Sequence, residues 1–500
     1  MEKTEHYGKM TTGITGLNDI STTTIAPILE LMPTLTKELF SRNFSSSQVC
    51  SEGKLNKNRQ YIDYAKATRE EIFQCINNPL WYQQSLKDVS KVVVILSSPR
   101  SGSSLLFHLL SQTEQLLSLN GEHTPYYKLN GYSFPFENFQ SDCLENIEVS
   151  QEQLNNFSRD FLSDVGVGTP REILTPKDLE EFITTMALRL PMQWPQLGLS
   201  AQEYFWHITE GCNRYFLENL TGNLSSLVIN ILKSLSIFSP EFNPFYYDLK
   251  PSLLKASFPN TNISAAPPNS HFCIEEPPFV VIKPRRCPTS DEISNKPWLL
   301  KASIDAFRLP LLKQLFPNAE FKIIHLTRFP ATSINGIYDG WHHQGFFSHN
   351  LEGIANLNIP GYSDVFPWGK NWWSYELPPQ WKTVINQPLE YICGLQWSST
   401  HEAILESLEQ EQKSNILRVQ FEDIIESSQK RQQMLGKLLD FIGIKEDNSL
   451  KKSVEEMQPI MCSVPANENR WLSRQSLILP VINQDSIRNL VTEFGYQNRV

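Results

Sequence analysis

The stretch VVVILSSPRSGSSLLFHLL, residues 92–110, contains the local pattern that decides the fold. Its first five residues are apolar and mostly β-branched, which is typical of a strand buried in a parallel sheet. A turn of small residues with a single arginine follows, and Leu105 and Leu109 then begin an apolar stripe with helical spacing. This order of strand, turn and helix predicts half of a βαβ unit.

Further strand patterns lie in the second half of the chain, separated by segments with helical periodicity. They occupy residues 278–283, 298–303, 320–328 and 415–421. Parallel strands need crossover connections, and helices are the usual ones. The sequence therefore predicts an α/β protein of three layers, with a central parallel sheet flanked by helices.

Two regions stand outside this alternation. Residues 1–90 have helix-like patches and no strand run, which predicts an N-terminal helical arm. Residues 91–500 would form the main domain. Within it, residues 140–275 predict a mainly helical insertion, and residues 341–397 hold six of the eleven tryptophans.

Composition excludes several classes of protein. The 500 residues carry a formal net charge of −10, which disfavours nucleic acid as a partner. The eight cysteines form no CxxC pair, so no metal site is predicted. Residues 1–24 lack the apolar core of a signal peptide, and no segment has the ~18 apolar residues of a membrane span, so we expect a cytoplasmic protein.

The turn after the first strand has the chemistry of a phosphate site. A small-residue loop that leads into a helix directs backbone N–H groups and the positive end of the helix dipole at one point. Gly102 permits a phosphate to approach the backbone closely, and Arg100 adds a fork of hydrogen-bond donors. Further hydroxyl donors come from Ser101, Ser103 and Ser104. The loop lacks the spacing and the lysine of a Walker A motif, which disfavours an ATPase or kinase. An ordinary polar turn remains the alternative.

The segment SSPRSGSSLL, residues 97–106, resembles the 5'-phosphosulfate loop of sulfotransferases that use 3'-phosphoadenosine 5'-phosphosulfate (PAPS). The Pro-Arg-Ser-Gly form is that of tyrosylprotein and bacterial sulfotransferases. Residues 316–341 resemble the 3'-phosphate motif of the same family, with Arg328 as the phosphate ligand. The family commonly has serine where this chain has Gly336, and Ser333 is the substitute one turn earlier.

Other residues acquire roles through the same resemblance. Lys301, in WLLKASIDAF, is similar to a strand-end lysine that contacts the transferring sulfuryl group. Arg470 or Arg474, in NRWLSR, would add to the 3'-phosphate site. Arg100 would assist catalysis at the leaving group.

The general base has two candidates. Related enzymes often have a glutamate shortly after the helix that follows the loop, where this chain has Glu122. The local spacing permits a shift of one residue, so His123 is the alternative. Three residues after the second motif are candidates for lining the acceptor pocket, namely Trp341, His342 and His343.

The resemblance implies a P-loop-like fold and transfer of a sulfuryl group from PAPS, without a metal, to a hydroxyl of a small molecule. An amine acceptor is the less favoured option. The prolines and aromatic residues of the insertion and of residues 341–397 favour a partly apolar acceptor pocket, with 341–397 as an acceptor or lid segment. Such a pocket suits a secondary or lipid-like metabolite as acceptor. A nucleotide kinase or hydrolase with the same loop, or a noncatalytic nucleotide-binding scaffold, are the alternatives.

Overall fold

The structure is a computed structural model, and the part of the chain that it describes begins at Lys54. The described residues are 54–76, 78, 80–135, 139–144, 147–170, 176–217, 224–239, 242–261, 266–268, 272–343, 345–455, 457 and 469–499. The first helix-like patch of the predicted N-terminal arm, residues 25–43, lies outside them. The second patch falls on helices.

Eight strands are assigned in the described residues. Their bounds are β1 Lys91–Leu96, β2 Leu117–Leu119, β3 Val165–Val167, β4 Trp298–Leu300, β5 Glu320–Thr327, β6 Phe347–Asn350, β7 Trp372–Ser374 and β8 Ile416–Gln420.

The α-helices of the described part connect these strands and cover them. Their bounds are α1 Lys54–Ile76, α2 Leu80–Gln83, α3 Ser103–Leu110, α4 Thr124–Leu129, α5 Gln151–Asp164, α6 Pro176–Gln193, α7 Ala201–Leu217, α8 Leu224–Phe238, α9 Pro251–Ser257, α10 Ser290–Asn295, α11 Leu309–Leu315, α12 Pro330–Trp341, α13 Trp381–Val384, α14 Leu389–Leu408, α15 Phe421–Ile425, α16 Ser428–Ile442, α17 Asn448–Glu455, α18 Gln475–Ile482 and α19 Asp485–Glu493.

The main sheet has the strand order β3-β2-β4-β1-β5-β8. Every neighbouring pair is parallel except β2 and β3, which are antiparallel at one edge. The predicted central parallel sheet is therefore present, with an antiparallel edge strand that the sequence analysis did not predict. The strands β6 and β7 form a separate antiparallel pair in the tryptophan-rich segment.

Both faces of the sheet are buried, and alternate residues of β1 show it. Val92 and Val94 pack into one apolar core with α1, α5, α6 and α11. Val93 and Ile95 pack into a second core with α3 and α16. Since side chains alternate along a strand, two cores imply helices on both faces, and the three layers follow.

One predicted strand is wrong. Residues 278–283 form an extended segment in which Phe279 makes only an isolated bridge to Tyr247. Pro278 is its first residue, Pro277 and Pro284 flank it, and proline has no N–H to give to a ladder. The apolar run is instead part of the wall of a cavity, described below.

The region 140–275 contains α5 to α9 and also β3, so in its described residues helices predominate and one strand joins the sheet. No helix in the described part of the chain is long and apolar enough to span a bilayer.

Candidate active site

The carboxyl ends of the five parallel strands meet at one edge of the sheet, and the chain leaving each strand supplies a polar or aromatic side chain there. In spatial order these residues are Glu122 after β2, Lys301 after β4, Arg100 after β1, Arg328 after β5 and Phe421 after β8. All five line a cavity of about 610 Å³. Ligands of open α/β sheets bind at this edge.

The β1–α3 turn contains two residues with left-handed backbone conformations. Arg100 has a φ of 61° and Gly102 has a φ of 94°, both in the left-handed region. A Cβ on Gly102 would lie 2.1 Å from the ring of Phe421, so both conformation and space require glycine. No side chain caps α3, which leaves the positive end of this eight-residue helix facing the cavity.

The serines of the turn divide into two groups. Ser101 is fully buried, and its hydroxyl lies 2.6 Å from that of Ser98 and 3.1 Å from that of Ser333. Ser101 and Ser333 therefore brace the loop from within rather than face the cavity. Ser103 and Ser104 line the cavity.

Glu122 and Lys301 form an ion pair on the cavity wall. The ammonium of Lys301 also donates to the Ser104 hydroxyl at 3.0 Å. Lys301 is 9% exposed, so its charge is held in place at the start of α3. The structure thus brings together a carboxylate, an ammonium and a helix N-terminus that are far apart in sequence.

His123 does not line the cavity. It is fully buried, and its Nε2 is 2.9 Å from an oxygen of Asp305. Its ring packs edge-on against Tyr127. Of the two candidate bases, only Glu122 lines the cavity.

Arg328 connects the end of β5 to the loop. Its guanidinium donates to the carbonyl oxygen of Arg100 at 2.8 Å and lies 4.8 Å from the centre of the Phe421 ring. Burial lowers the pKa of Arg328 to about 10, although the nearby carboxylate of Glu422 acts in the opposite direction. The side chain stays cationic at neutral pH.

Gly336 lies on α12 directly beside the loop. A Cβ there would come within 3.0 Å of the Cβ of Arg100, which gives a packing reason for glycine at a position where the resemblance leads us to expect serine. Arg470 also lines the cavity, and it is ion-paired with Asp339 at 2.5 Å. Arg474 pairs with the other oxygen of Asp339 at 2.7 Å.

The three residues after the second motif have different environments. Trp341 is buried in an apolar core and donates to Gln396 at 2.9 Å. His342 is held between the carbonyl oxygens of Tyr338 and Gly361. Of the three, only His343 lines the cavity, where burial and the charge of Arg100 lower its pKa and keep it neutral.

The remainder of the cavity is lined by two sets of residues that the sequence analysis did not name individually, although Tyr375 and Glu376 lie within its segment 341–397. An apolar set comes from residues 245–304 and includes Phe245, Leu249, Leu254, Ile274, Pro278, Val280 and Ile304. A polar set includes Arg189, Glu275, Tyr375 and Glu376. None of these belongs to a short motif, so local sequence offers no signal for them.

Arg189 is the most heavily paired residue of the polar set. It is buried and forms ion pairs with Asp164 at 3.0 Å and Glu275 at 2.9 Å. It also donates to the backbone oxygen of Glu122 at 3.5 Å. A Cβ on Gly121 would lie 2.5 Å from this guanidinium. The arginine therefore supports the segment that carries Glu122.

Among the described residues, no group of three or more His, Cys, Asp or Glu side chains is arranged to hold a metal ion.

Comparison with solved structures returns sulfotransferases. The chain is similar to the sulfotransferase domain of the curacin biosynthetic pathway, at 14% identity and a TM-score of 0.33, covering 82% of this chain and 99% of that one. It is also similar to the sulfotransferase domain of the Synechococcus PCC 7002 olefin synthase, at 14% identity and a TM-score of 0.32, covering 82% and 96%. A third is a sulfotransferase from Mycobacterium avium, at 11% identity and a TM-score of 0.35, covering 96% and 98%.

No protein-family profile matches the chain, and no curated protein matches it in sequence.

Proposed function

We propose that this protein is a sulfotransferase that moves the sulfuryl group of PAPS to a hydroxyl, or less favourably an amine, of a small molecule. The observation that carries the proposal is the meeting of Glu122, Lys301 and Ser104 at the N-terminus of α3, beside Arg100. This combination offers a proton acceptor and fixed positive charge within one cavity.

The donor nucleotide would be held in a P-loop-like manner by the β1–α3 turn. The uncapped start of α3 suits the 5'-phosphosulfate, and Arg100, Ser103 and Ser104 line that part of the cavity. Arg328 and Arg470 would bind the 3'-phosphate. In this proposal Ser101, Ser333 and Gly336 shape the loop and its neighbour helix, since their packing is internal.

The chain's own groups divide the chemistry between them. Glu122 accepts the proton of the acceptor hydroxyl, whose oxygen forms the new bond to sulfur as the bond from sulfur to the bridging phosphate oxygen breaks. Lys301 and Arg100 stabilise the charge that develops on that departing oxygen. In the analogous transfer of phosphoryl groups, most of the rate enhancement comes from positioning the reactants and from electrostatic stabilisation of the transition state. We expect the same two effects in sulfuryl transfer.

The acceptor would occupy the apolar part of the cavity. Its lining by Phe245, Leu254, Ile274 and Val280 suits a flat or lipid-like metabolite better than a charged polymer. The volume of about 610 Å³ is within the range of small-molecule pockets.

Calorimetric titration tests the donor assignment. We expect adenosine 3',5'-bisphosphate (PAP) to bind without Mg²⁺ and more tightly than ATP or adenosine 5'-phosphosulfate, because only PAP carries the 3'-phosphate. Preference for ATP together with Mg²⁺ would replace this proposal with a nucleotide kinase or hydrolase. Binding of PAP with no PAPS turnover for any hydroxylic or amine acceptor would indicate a noncatalytic scaffold.

A further inference from the structure

Two consecutive side chains, Tyr375 and Glu376, both line the cavity just after the end of β7. In a regular strand, successive side chains point to opposite faces. Tyr375 has a φ of 64°, which breaks this alternation and turns both side chains toward the same space. A left-handed conformation is costly for a tyrosine, and such strain concentrates at functional sites.

Glu376 has polar capacity that the protein does not use. It is 6% exposed, and its Oε2 has no hydrogen-bond partner in the described residues. Ser303 is a hydrogen-bond partner of the carboxyl group. Burial raises the pKa of Glu376 to about 8, and the carboxylates of Asp142 and Glu122 act in the same direction. At neutral pH this carboxyl group is therefore mainly uncharged, with an O–H to donate.

The hydroxyl of Tyr375 is a second such group. It is buried and has no partner in the described part of the chain. The ring is stacked on Phe346 with 4.8 Å between centres, and the hydroxyl lies where a Cβ on Gly340 would approach it to 1.6 Å. Packing therefore fixes the position of this hydroxyl.

The backbone at Glu376 is also fixed. Its carbonyl oxygen accepts from Trp373 Nε1 at 3.0 Å and from Gln396 Nε2 at 2.9 Å. Buried polar groups without partners are rare and destabilising in native proteins, and a ligand is one explanation for them. Here two such atoms belong to consecutive residues that line the cavity.

We propose that Tyr375 and Glu376 bind a second, uncharged oxygen group of the acceptor. The acceptor would then carry at least two oxygen functions: one is sulfated beside Glu122, and the other hydrogen-bonds to this pair. Diols, polyphenols and hydroxyketones have this chemistry. The inference rests on the proposed function, because it assigns the substrate class of the same cavity.

The test compares aromatic alcohols that differ by one hydroxyl. Binding of 2-naphthol and of a panel of dihydroxynaphthalene isomers to the PAP-saturated protein is measured by equilibrium dialysis. We expect at least one dihydroxy isomer to bind about 3- to 10-fold more tightly than 2-naphthol, the range for one neutral hydrogen bond.

Variants locate the preference. Tyr375→Phe and Glu376→Leu should each lower the affinity for the preferred dihydroxy isomer about 2- to 5-fold. The affinity for 2-naphthol should change less in both variants. Glu376→Gln, which keeps an uncharged donor, should retain most of the preference. Tyr362→Phe is the matched control, since Tyr362 is a buried tyrosine that does not line the cavity.

Equal binding of 2-naphthol and every dihydroxy isomer by the wild-type protein would overturn the inference. So would an unchanged preference in both Tyr375→Phe and Glu376→Leu. Failure of PAP to bind would instead overturn the proposed function, and dialysis without PAP would still report the preference of the acceptor cavity.

Discussion

Arg328 contacts the loop and the cavity at the same time, so its replacement tests both. In the proposed function it binds the 3'-phosphate, and it also donates to the Arg100 carbonyl. We expect Arg328→Ala to weaken PAP binding about 10- to 100-fold, the range for a lost charged hydrogen bond, measured by calorimetry. Adenosine 5'-phosphosulfate, without the 3'-phosphate, should lose much less.

Arg328→Lys is the matched control for that prediction. Lysine keeps the charge but lacks the planar fork, so we expect an intermediate loss of PAP affinity. Equal losses for PAP and adenosine 5'-phosphosulfate in Arg328→Ala would limit Arg328 to its contact with the Arg100 carbonyl.

Glu122 faces the cavity, whereas its neighbour His123 is buried against Asp305. In the proposed function Glu122 is the proton acceptor, and Glu122→Gln removes this capacity while keeping the side-chain shape. We expect PAP affinity to change less than threefold, by calorimetry, and the rate of PAP release from PAPS with 2-naphthol to fall ~10²- to 10⁴-fold. An undiminished rate would assign the base to another residue.

The conformation of the β1–α3 turn depends on one glycine, Gly102. Gly102→Ala places a Cβ against the Phe421 ring and forces a left-handed φ on alanine. We expect a loss of about 2 to 5 kcal/mol in the free energy of unfolding, together with loss of PAP binding. Chemical denaturation and calorimetry measure the two effects.

Gly436 provides the control for this glycine. It lies within α16, and a Cβ there would meet nothing within 4 Å. Gly436→Ala should leave PAP binding unchanged and raise stability by up to about 1 kcal/mol. A Gly102→Ala variant that behaves like Gly436→Ala would show that the loop tolerates a side chain.

Elements with strong local patterns were predictable, and short ones were not. The strand β1 is a continuous β-branched run, and α3 has a clear apolar stripe, so the sequence alone predicts both. The three-residue strands β2 and β3 are too short for periodicity to register. The segment 278–283 was predicted as a strand because it is apolar, but it is an extended segment without strand partners.

At the scale of the molecule, the cavity gathers residues from Pro99 to Arg470. Resemblance to known motifs leads to Arg100, Lys301 and Arg328, since each closely follows a recognisable strand. Arg189 and Glu376 reach the cavity only through the packing of distant helices and loops. Tertiary structure, which no local pattern encodes, was needed to find them.

Stability of the whole chain should depend on pH through Glu376. Burial raises its pKa to about 8 in the folded protein, with Asp142 and Glu122 adding to the shift and the Ser303 hydrogen bond opposing it. The unfolded chain loses this proton near its ordinary value, so unfolding becomes easier as pH rises from about 4.5 to about 8.

Glu376→Gln removes that titration. We therefore expect the variant to gain several degrees in melting temperature relative to wild type at pH 8, with a difference that shrinks toward pH 5, measured by calorimetric scans. A melting-temperature difference that is constant across this range would contradict the shifted pKa.

The antiparallel strand β3 comes from within the helical region 140–275, yet it is the hydrogen-bonding partner of β2. The loop that leaves β2 carries Glu122, and Asn120 in that loop bonds to the backbone of Asp164 at the end of α5. Excising this region would strip one side of β2 bare and leave a strand edge ready to pair with another molecule. The region that the sequence marks as an addition is thus the protective border of the sheet, and its removal would also break the Asn120 contact that holds the loop with Glu122.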